Sequence, residues 1–183
     1  MFNLANAGSA RQSGRALNPN EARNMTYTTI YEWSIENYRQ KKQNEINGRT
    51  PYLDSEIFYC GRKGYKMCAR IYLNGDGIGK GGNVSLYISI LKGDNDDNLP
   101  WPFKYRMSMS LINQKRVNNK IVQEHFDPAP SSASYQKPTS MRNKGTGFPL
   151  FTTHALAESE ECLVNDKIKI LIQVDSQAVQ NHS

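Results

Sequence analysis

The sequence predicts an all-β fold, in the form of an antiparallel β-sandwich or barrel. From Tyr27 onward, apolar and polar residues alternate in short runs, and Gly, Pro, Asn or Asp interrupts these runs about every ten residues. That spacing is typical of short strands joined by turns, because alternate side chains of a strand point to opposite faces. Only residues 155–161 favour a helix, so we expect one short helix beside the strands.

Eight segments carry the strand pattern, and in chain order they are 30–35, 52–59, 65–73, 84–91, 104–112, 121–126, 149–152 and 167–174. The last segment is the clearest. Its apolar residues Ile168, Ile170, Ile172 and Val174 fall on one face, and its lysines fall on the other. A strand with this pattern buries one face in a core and exposes the other.

The remaining segments set the limits of the predicted domain. Residues 1–25 are polar and lack any period, so we interpret them as a disordered leader or a cloning remnant. Residues 26–176 form the predicted domain, and residues 177–183 form a disordered tail. Within the domain, residues 39–49 predict a charged loop, and Trp101, flanked by two prolines, predicts a structural plug in the core.

Composition narrows the classes of function. A net charge of +6 and a pI of about 9.2 permit an acidic partner. The basic residues are dispersed, which argues against a nucleic-acid-binding surface. Three cysteines without a CxxC pair and three histidines without ligand spacing predict no metal or other cofactor, and fit free thiols in a reducing compartment. With no signal-peptide pattern and no long apolar stretch, we expect a cytoplasmic protein without direct membrane insertion.

A glycine-rich turn tests the nucleotide-binding alternative. Gly77, Gly79 and Gly82 match the pattern GxGxxG after a predicted strand. A dinucleotide site requires a helix next, whose N-terminus binds phosphate. The following segment, 84–91, predicts a strand instead, so we interpret the glycines as a hairpin connection. Catalytic motifs such as GxSxG and HExxH are absent from the sequence, which predicts a protein that is not an enzyme.

The strand at residues 65–73 exposes chemistry on its outer face. Its inner face carries small and apolar residues such as Ala69 and Ile71. Arg70 and Tyr72 alternate with them and therefore point outward, two residues apart on one surface. A guanidinium beside a phenol is suited to holding an acidic ligand.

These features accompany a family resemblance over residues 27–175. The chain is similar to the C-terminal domain of the tumour-necrosis-factor-receptor-associated factors (TRAF family), within the wider MATH superfamily. The segments that carry it are YEWSIENY (31–38), FYCGRKGYKMCARIYLNGDG (58–77), NVSLYISILKGDND (83–96), LPWPF (99–103), SSASYQKP (131–138) and VNDKIKILIQVD (164–175). The resemblance implies an eight-stranded antiparallel β-sandwich with one short helix that binds short extended peptides along a sheet edge.

The resemblance also implies ten peptide-binding residues, which are Arg70, Tyr72, Asp76, Tyr87, Phe126, Ser132, Ser134, Thr146, Gly147 and Phe148. Arg70 and Tyr72 would hold an acidic peptide side chain, with Asp76 as a nearby polar contact. Tyr87, Phe126 and Phe148 would form the walls of a pocket for an apolar or proline side chain. The two serines would grip a Gln or Glu side chain, and the Thr-Gly pair would supply a hydroxyl and a main-chain contact.

Two positions depart from the family pattern. Ala133 lies between the two serines where the nearest branch of the family has a third serine, and Phe148 is a bulky residue for its position. Both bear on which motif is preferred. The resemblance implies an adaptor that binds cytoplasmic tails of TNF-receptor-like receptors or adaptor proteins through acidic or proline-containing motifs, and that self-associates as a homotrimer. The alternative is a MATH module that recruits substrates for a ubiquitin-pathway enzyme.

Overall fold

The computed structural model describes residues 28–178, which form nine antiparallel strands in two packed sheets. The strands are β1 (Thr28–Glu36), β2 (Leu53–Asp54), β3 (Phe58–Cys60), β4 (Tyr65–Tyr72), β5 (Asn83–Leu91), β6 (Tyr105–Ile112), β7 (Lys120–Phe126), β8 (Thr146–Thr153) and β9 (Lys167–Ala178). The helices are α1 (Tyr38–Ile46) and α2 (His154–Ala157), with short 3-10 turns at Gly77–Gly79, Asp96–Asn98 and Ala133–Tyr135. The predicted leader, residues 1–25, and positions 179–183 of the predicted tail lie outside the described residues.

The two sheets have a simple order. One sheet runs β1-β9-β6-β7, and the other runs β2-β4-β5-β8 with β3 also paired to β4. The apolar residues that alternate along the strands are buried between the two sheets. Ile168, Ile170 and Ile172 of β9 lie in this core together with Ile71 and Leu86 of the opposite sheet. The predicted all-β sandwich is therefore confirmed, with nine strands in place of eight.

The extra strand arises at Ser55, inside the segment predicted as one strand, 52–59. Ser55 is buried and its N–H donates to the carbonyl of Ala69 at 2.9 Å, as in a normal ladder. Its hydroxyl then accepts the Ala69 N–H at 3.0 Å, in place of a main-chain carbonyl. Because a hydroxyl accepts this hydrogen bond in place of a carbonyl, the ladder is interrupted, and β2 and β3 pair separately with β4.

The prediction of a loop at residues 39–49 is wrong, because α1 occupies most of it. The helix is polar on all sides, so no apolar period marked it in the sequence. Tertiary contacts hold it instead. Tyr38 is fully buried and donates its hydroxyl to Glu158 at 3.1 Å, and the Glu45 carboxylate accepts the main-chain N–H of Asn74 at 2.9 Å. Burial raises the pKa of both the Tyr38 phenol and the Glu45 carboxyl.

Other connections agree with their sequence patterns. The glycine-rich turn joins the antiparallel neighbours β4 and β5 through the 3-10 turn Gly77–Gly79, which confirms a hairpin connection. Gly75 and Gly77 have positive φ angles of 76° and 53°, which glycine adopts readily.

Trp101 packs edge-on against Tyr65 at the rim of the core, and its indole donates to the Asp96 carbonyl at 2.8 Å.

Two further features concern the helices and the thiols. The helix predicted at 155–161 is the single turn α2, and the hydroxyl of Thr153 caps it by accepting the Leu156 N–H at 3.2 Å. The three cysteines are buried as free thiols. No helix among residues 28–178 has both the length and the apolar composition needed to span a bilayer.

Strand β8 lies at the edge of its sheet and approaches β5 very closely at Gly147. A Cβ atom at Gly147 would lie 2.1 Å from the Leu86 carbonyl oxygen and 2.6 Å from the Tyr87 Cα. Both are far inside van der Waals contact, so only glycine fits while the pairing is kept. The close pairing of β8 with β5 therefore depends on glycine at position 147.

Replacing Tyr38 tests what anchors α1. We expect Tyr38→Ala to lower the free energy of unfolding by about 3–5 kcal/mol, since it removes a fully buried aromatic ring. Tyr38→Phe loses only the hydrogen bond to Glu158 and should cost about 1 kcal/mol. Urea unfolding followed by fluorescence measures both. Tyr59→Ala, at a tyrosine that is 52% exposed, is the control. Equal losses for the Tyr38→Ala and Tyr59→Ala proteins would show that α1 is not held through this residue.

Replacing Gly147 tests the close approach of β8 to β5. Gly147→Ala should destabilise the domain by about 1–3 kcal/mol, because the two strands must move apart. Gly82→Ala is the matched control, since a Cβ there has no atom within 4 Å and φ is not positive. The control should leave the melting temperature unchanged or slightly higher. If the two variants melt alike, the register of β8 against β5 is not the one described.

Candidate functional site

Four residues form a straight row across the outer face of the β2-β4-β5-β8 sheet. The strand register pairs Asp54 with Arg70, Arg70 with Tyr87, and Tyr87 with Gly147. Neighbouring strands are about 4.8 Å apart, so the row extends about 14 Å from the β2 edge to the β8 edge. The outward direction of Arg70, predicted from alternation, is therefore observed, and it leads to an open edge.

Arg70 is held rigidly in this row by two neighbours. Its Nε and Nη2 atoms donate to the two carboxylate oxygens of Asp54 at 2.7 and 2.8 Å. Its guanidinium carbon lies 3.4 Å from the centre of the Tyr52 ring, in a cation–π contact. The hydrogen bonds to Asp54, followed by one with Tyr72, raise the pKa of Arg70 above its ordinary value. Arg70 is permanently charged and fixed in one plane.

Asp54 also binds a second arginine. Arg142 donates from Nη1 to the Asp54 carboxylate at 3.2 Å. Burial alone would raise the pKa of Asp54, but the hydrogen bonds from Arg70 and the charge of Arg142 outweigh it and lower the pKa. One ionised carboxylate thus lies between two guanidinium groups, each of whose side chains is about one quarter to one third exposed.

Tyrosines line the row beside Arg70. Tyr72 makes edge-to-face contacts with Tyr52 and Tyr87, at ring distances of 5.7 and 5.9 Å. Asp76 lies next to Tyr87 and its main-chain N–H donates to the Ser85 hydroxyl at 2.8 Å. Burial, together with the charge of Asp76 and a hydrogen bond to it, raises the pKa of Tyr87 to about 12. The Tyr87 phenol therefore remains a hydrogen-bond donor at any physiological pH.

These residues surround an open groove of about 360 Å³, lined by Arg70, Tyr72, Asp76, Tyr87, Ser89, Arg142, Asn143, Lys144 and Gly145. The groove joins four of the predicted site residues. It also contains four neighbours, residues 142–145, that the sequence reasoning missed. Two basic residues, Arg142 and Lys144, come two positions apart just before the edge strand, but no local pattern in the sequence places them beside Arg70.

Asn143 connects the groove to the serine loop, residues 131–136. Its main-chain N–H donates to the Ile90 carbonyl of β5 at 2.9 Å. Its side-chain amide donates to the carbonyls of Ser134 and Gln136 at 3.1 and 2.8 Å. Within the loop, the Ser132 hydroxyl accepts the Ser134 N–H at 3.3 Å, so Ser132 caps the 3-10 turn there. Both predicted serines are half-buried, and the loop is attached to the groove.

Two of the remaining predicted residues, Thr146 and Phe148, lie on the other face of β8. Thr146 and Phe148 pair with the inward residues Ile88 and Leu86 of β5, so they point toward the interior, whereas Gly147 pairs with the outward residue Tyr87. Phe148 contacts Phe126 of the opposite sheet, with ring centres 5.8 Å apart. Both rings are half-buried and pack against the core. The structure thus places these two aromatic rings at the rim of the sandwich, separate from the groove that contains Tyr87.

This arrangement is suited to binding an extended chain. Strand β8 pairs with β5 on one side, and within residues 28–178 no strand pairs with its other side. A strand added there would present alternate side chains to the groove face and to the rim face. The groove offers cations and phenols, and the rim offers aromatic carbon and hydroxyl groups. Over the same residues, His, Cys, Asp and Glu form no group of three that could hold a metal.

Comparison with known proteins places this geometry in a family. The model of the TRAF/meprin MATH domain matches residues 50–171. Human TNF receptor-associated factor 2 is 40% identical over 141 residues, which cover 77% of this chain and 28% of that protein. Mouse TNF receptor-associated factor 5 is 37% identical over 166 residues, which cover 87% of this chain and 30% of that protein.

A solved structure agrees with these matches. The structure of TRAF5 from Notothenia coriiceps superposes with a TM-score of 0.77 at 34% identity, covering 83% of this chain and 75% of that one. This chain spans less than a third of the length of the two curated relatives. By its family match, its relatives and its fold, the chain belongs to the TRAF/meprin MATH-domain family and is a MATH domain of the TRAF type.

Proposed function

We propose that this chain is a non-enzymatic adaptor domain in signal transduction. It binds short linear motifs in the cytoplasmic tails of TNF-receptor-like receptors or in adaptor proteins, and it acts in the cytoplasm. The observation that carries the proposal is the row from Arg70 through Tyr87 to Gly147, which connects a fixed cation to an open sheet edge. The family relationship supports the same role.

Main-chain pairing with β8 supplies the sequence-independent part of the binding. An edge strand presents unpaired N–H and C=O groups on alternate residues, which a peptide can satisfy by adding a strand. Gly147 has no side chain on the groove face, so a peptide next to it gains access to Tyr87. From Gly145 the groove then leads across the outer face to Arg70.

Side-chain contacts supply the specific part. Arg70 and Tyr72 bind an acidic side chain, and Asp76 with Tyr87 completes the polar surface beside them. On the other side of β8, Phe126 and Phe148 offer an apolar wall for a proline or aliphatic side chain. The serine loop offers the hydroxyls of Ser132 and Ser134, and Thr146 adds a third next to the rim. With Ala133 between the serines, the loop has one hydroxyl fewer to grip a Gln or Glu.

A site of this kind binds weakly on its own. Micromolar to millimolar dissociation constants correspond to roughly −4 to −8 kcal/mol. Adaptor function then depends on several copies engaging clustered tails at once, since linking sites raises the effective concentration. We therefore include in the proposal a homotrimer, for which the family resemblance is the support.

Arg70→Ala tests the acidic subsite. A peptide array of receptor-tail-like sequences containing Asp or Glu first identifies the best ligand. Arg70→Ala should then weaken binding of this peptide by about 1.5–3 kcal/mol, the range for hydrogen bonds to charged groups. Arg142 continues to pair with Asp54, so the variant leaves no isolated carboxylate and should fold. Calorimetry measures the affinity.

The control and the contradiction come from a double-mutant cycle. Replacing the peptide's acidic residue by its amide should cost the wild-type protein more than the Arg70→Ala protein. Arg106→Ala removes an equivalent bidentate pair, Arg106 with Asp127, from the opposite sheet and should change nothing. If the losses from Arg70→Ala and from the amide peptide simply add, Arg70 does not read that side chain.

Sedimentation equilibrium tests the trimer. Over a wide concentration range, the isolated chain should shift from the 20.8 kDa monomer toward an assembly of about three times that mass. A single monomeric species at the highest concentration would contradict the trimer and leave peptide binding to be judged by calorimetry alone.

A further inference from the structure

Two arginines share one carboxylate at the groove. Asp54 accepts two hydrogen bonds from Arg70 and one from Arg142. Both arginines line the groove, whereas Asp54 is not among the residues that surround it. The carboxylate therefore holds the two guanidinium groups side by side at the groove.

Each guanidinium retains enough donors to bind a second anion. An arginine has five N–H groups. Asp54 accepts from Nε and Nη2 of Arg70 and from Nη1 of Arg142, and Tyr72 takes one further hydrogen bond of Arg70. The ring of Tyr52 below Arg70 fixes the plane of its fork. Because the forks are already oriented, an incoming anion loses little further side-chain entropy on binding.

The charge at this end of the groove exceeds what one carboxylate neutralises. Arg70, Arg142 and Lys144 supply three positive charges, and Asp54 supplies one negative charge. The other acidic residue of the groove, Asp76, contacts Tyr87, which is the cross-strand partner of Arg70. With both carboxylates counted, the groove keeps a net positive charge, which favours an anionic ligand.

We propose that Arg70 and Arg142 form a subsite for a phosphorylated side chain of the partner peptide, with Lys144 at its rim. This rests on the proposed peptide-binding function and deepens it by naming the ligand group. A phosphate monoester carries a charge of about −1.5 to −2 at pH 7 and has three acceptor oxygens, so it can engage both forks at once. A carboxylate has a charge of −1 and two acceptor oxygens, so it offers less charge and one oxygen fewer to the two forks.

Two capped amino acids serve as probes: N-acetyl-O-phosphoserine N-methylamide and N-acetyl-glutamate N-methylamide. Titrations at pH 7.5 follow the Arg Nε and backbone resonances by NMR. We expect the wild-type protein to bind the phosphoserine probe at least about tenfold more tightly than the glutamate probe, with shifts at both arginines. Equal affinities for the two probes would overturn the phosphate subsite.

Arg142 is tested separately with a matched control. Arg142→Gln should reduce the preference for phosphoserine to about threefold or less, because one fork is lost. Arg142→Lys keeps the charge and the pairing with Asp54 but loses the fork, so the preference should fall in between. Arg106→Gln removes the same charge from the opposite sheet and should leave the preference unchanged. A preference that survives both Arg142 variants, with spectra of folded protein, would overturn the role of Arg142.

These titrations separate the subsite from the proposed function. If the probes bind equally but the peptide cycle at Arg70 shows coupling, peptide binding stands and the phosphate subsite is overturned. If the phosphoserine probe binds through both arginines but no peptide of the array binds, with its acidic residue or with phosphoserine in that place, the anion subsite stands and the peptide-binding function is overturned.

Discussion

The double pairing of β5 is the constraint on which the rest of the structure depends. One edge of β5 pairs with β4 and the other with β8, while its inward residues Leu86 and Ile88 join the core. Its outward residue, Tyr87, then lies at the centre of the groove. A slip of one residue in either ladder would turn these faces over. The close approach at Gly147 fixes the register on the β8 side, so core and groove are specified together.

The charges of the groove follow from the same register. Arg70 pairs directly with Asp54 across the β2–β4 ladder, so its charge is balanced before any ligand arrives. Its cationic side chain is half-buried next to tyrosines, where an unpaired charge would be costly. The pairing with Asp54 and the contact with Tyr52 make that position tolerable and hold the side chain still. Structural stability and readiness to bind an anion thus come from the same contacts.

The period of two made the strands and the outward direction of Arg70 and Tyr72 predictable. It could not reveal α1, which is polar all round and is held by the burial of Tyr38, nor the break at Ser55, where a hydroxyl replaces a carbonyl. The position of Arg142 was also out of reach. Its main chain lies beside Leu91 only because residues 141–143 extend the pairing along β5. Contacts of this kind depend on residues far apart in sequence, which leave no local pattern.

The hydrogen bonds of Asn143 have a consequence for the spacing of side chains in a bound peptide. One amide nitrogen binds two carbonyls of the serine loop, and the main-chain nitrogen of the same residue binds β5. The loop and the arginine end of the groove are therefore parts of one rigid body. In the proposed binding mode, the peptide position read by the serines and the position read by the arginines are separated by a fixed distance. The domain then selects motifs by the number of residues between two side chains as well as by the side chains themselves.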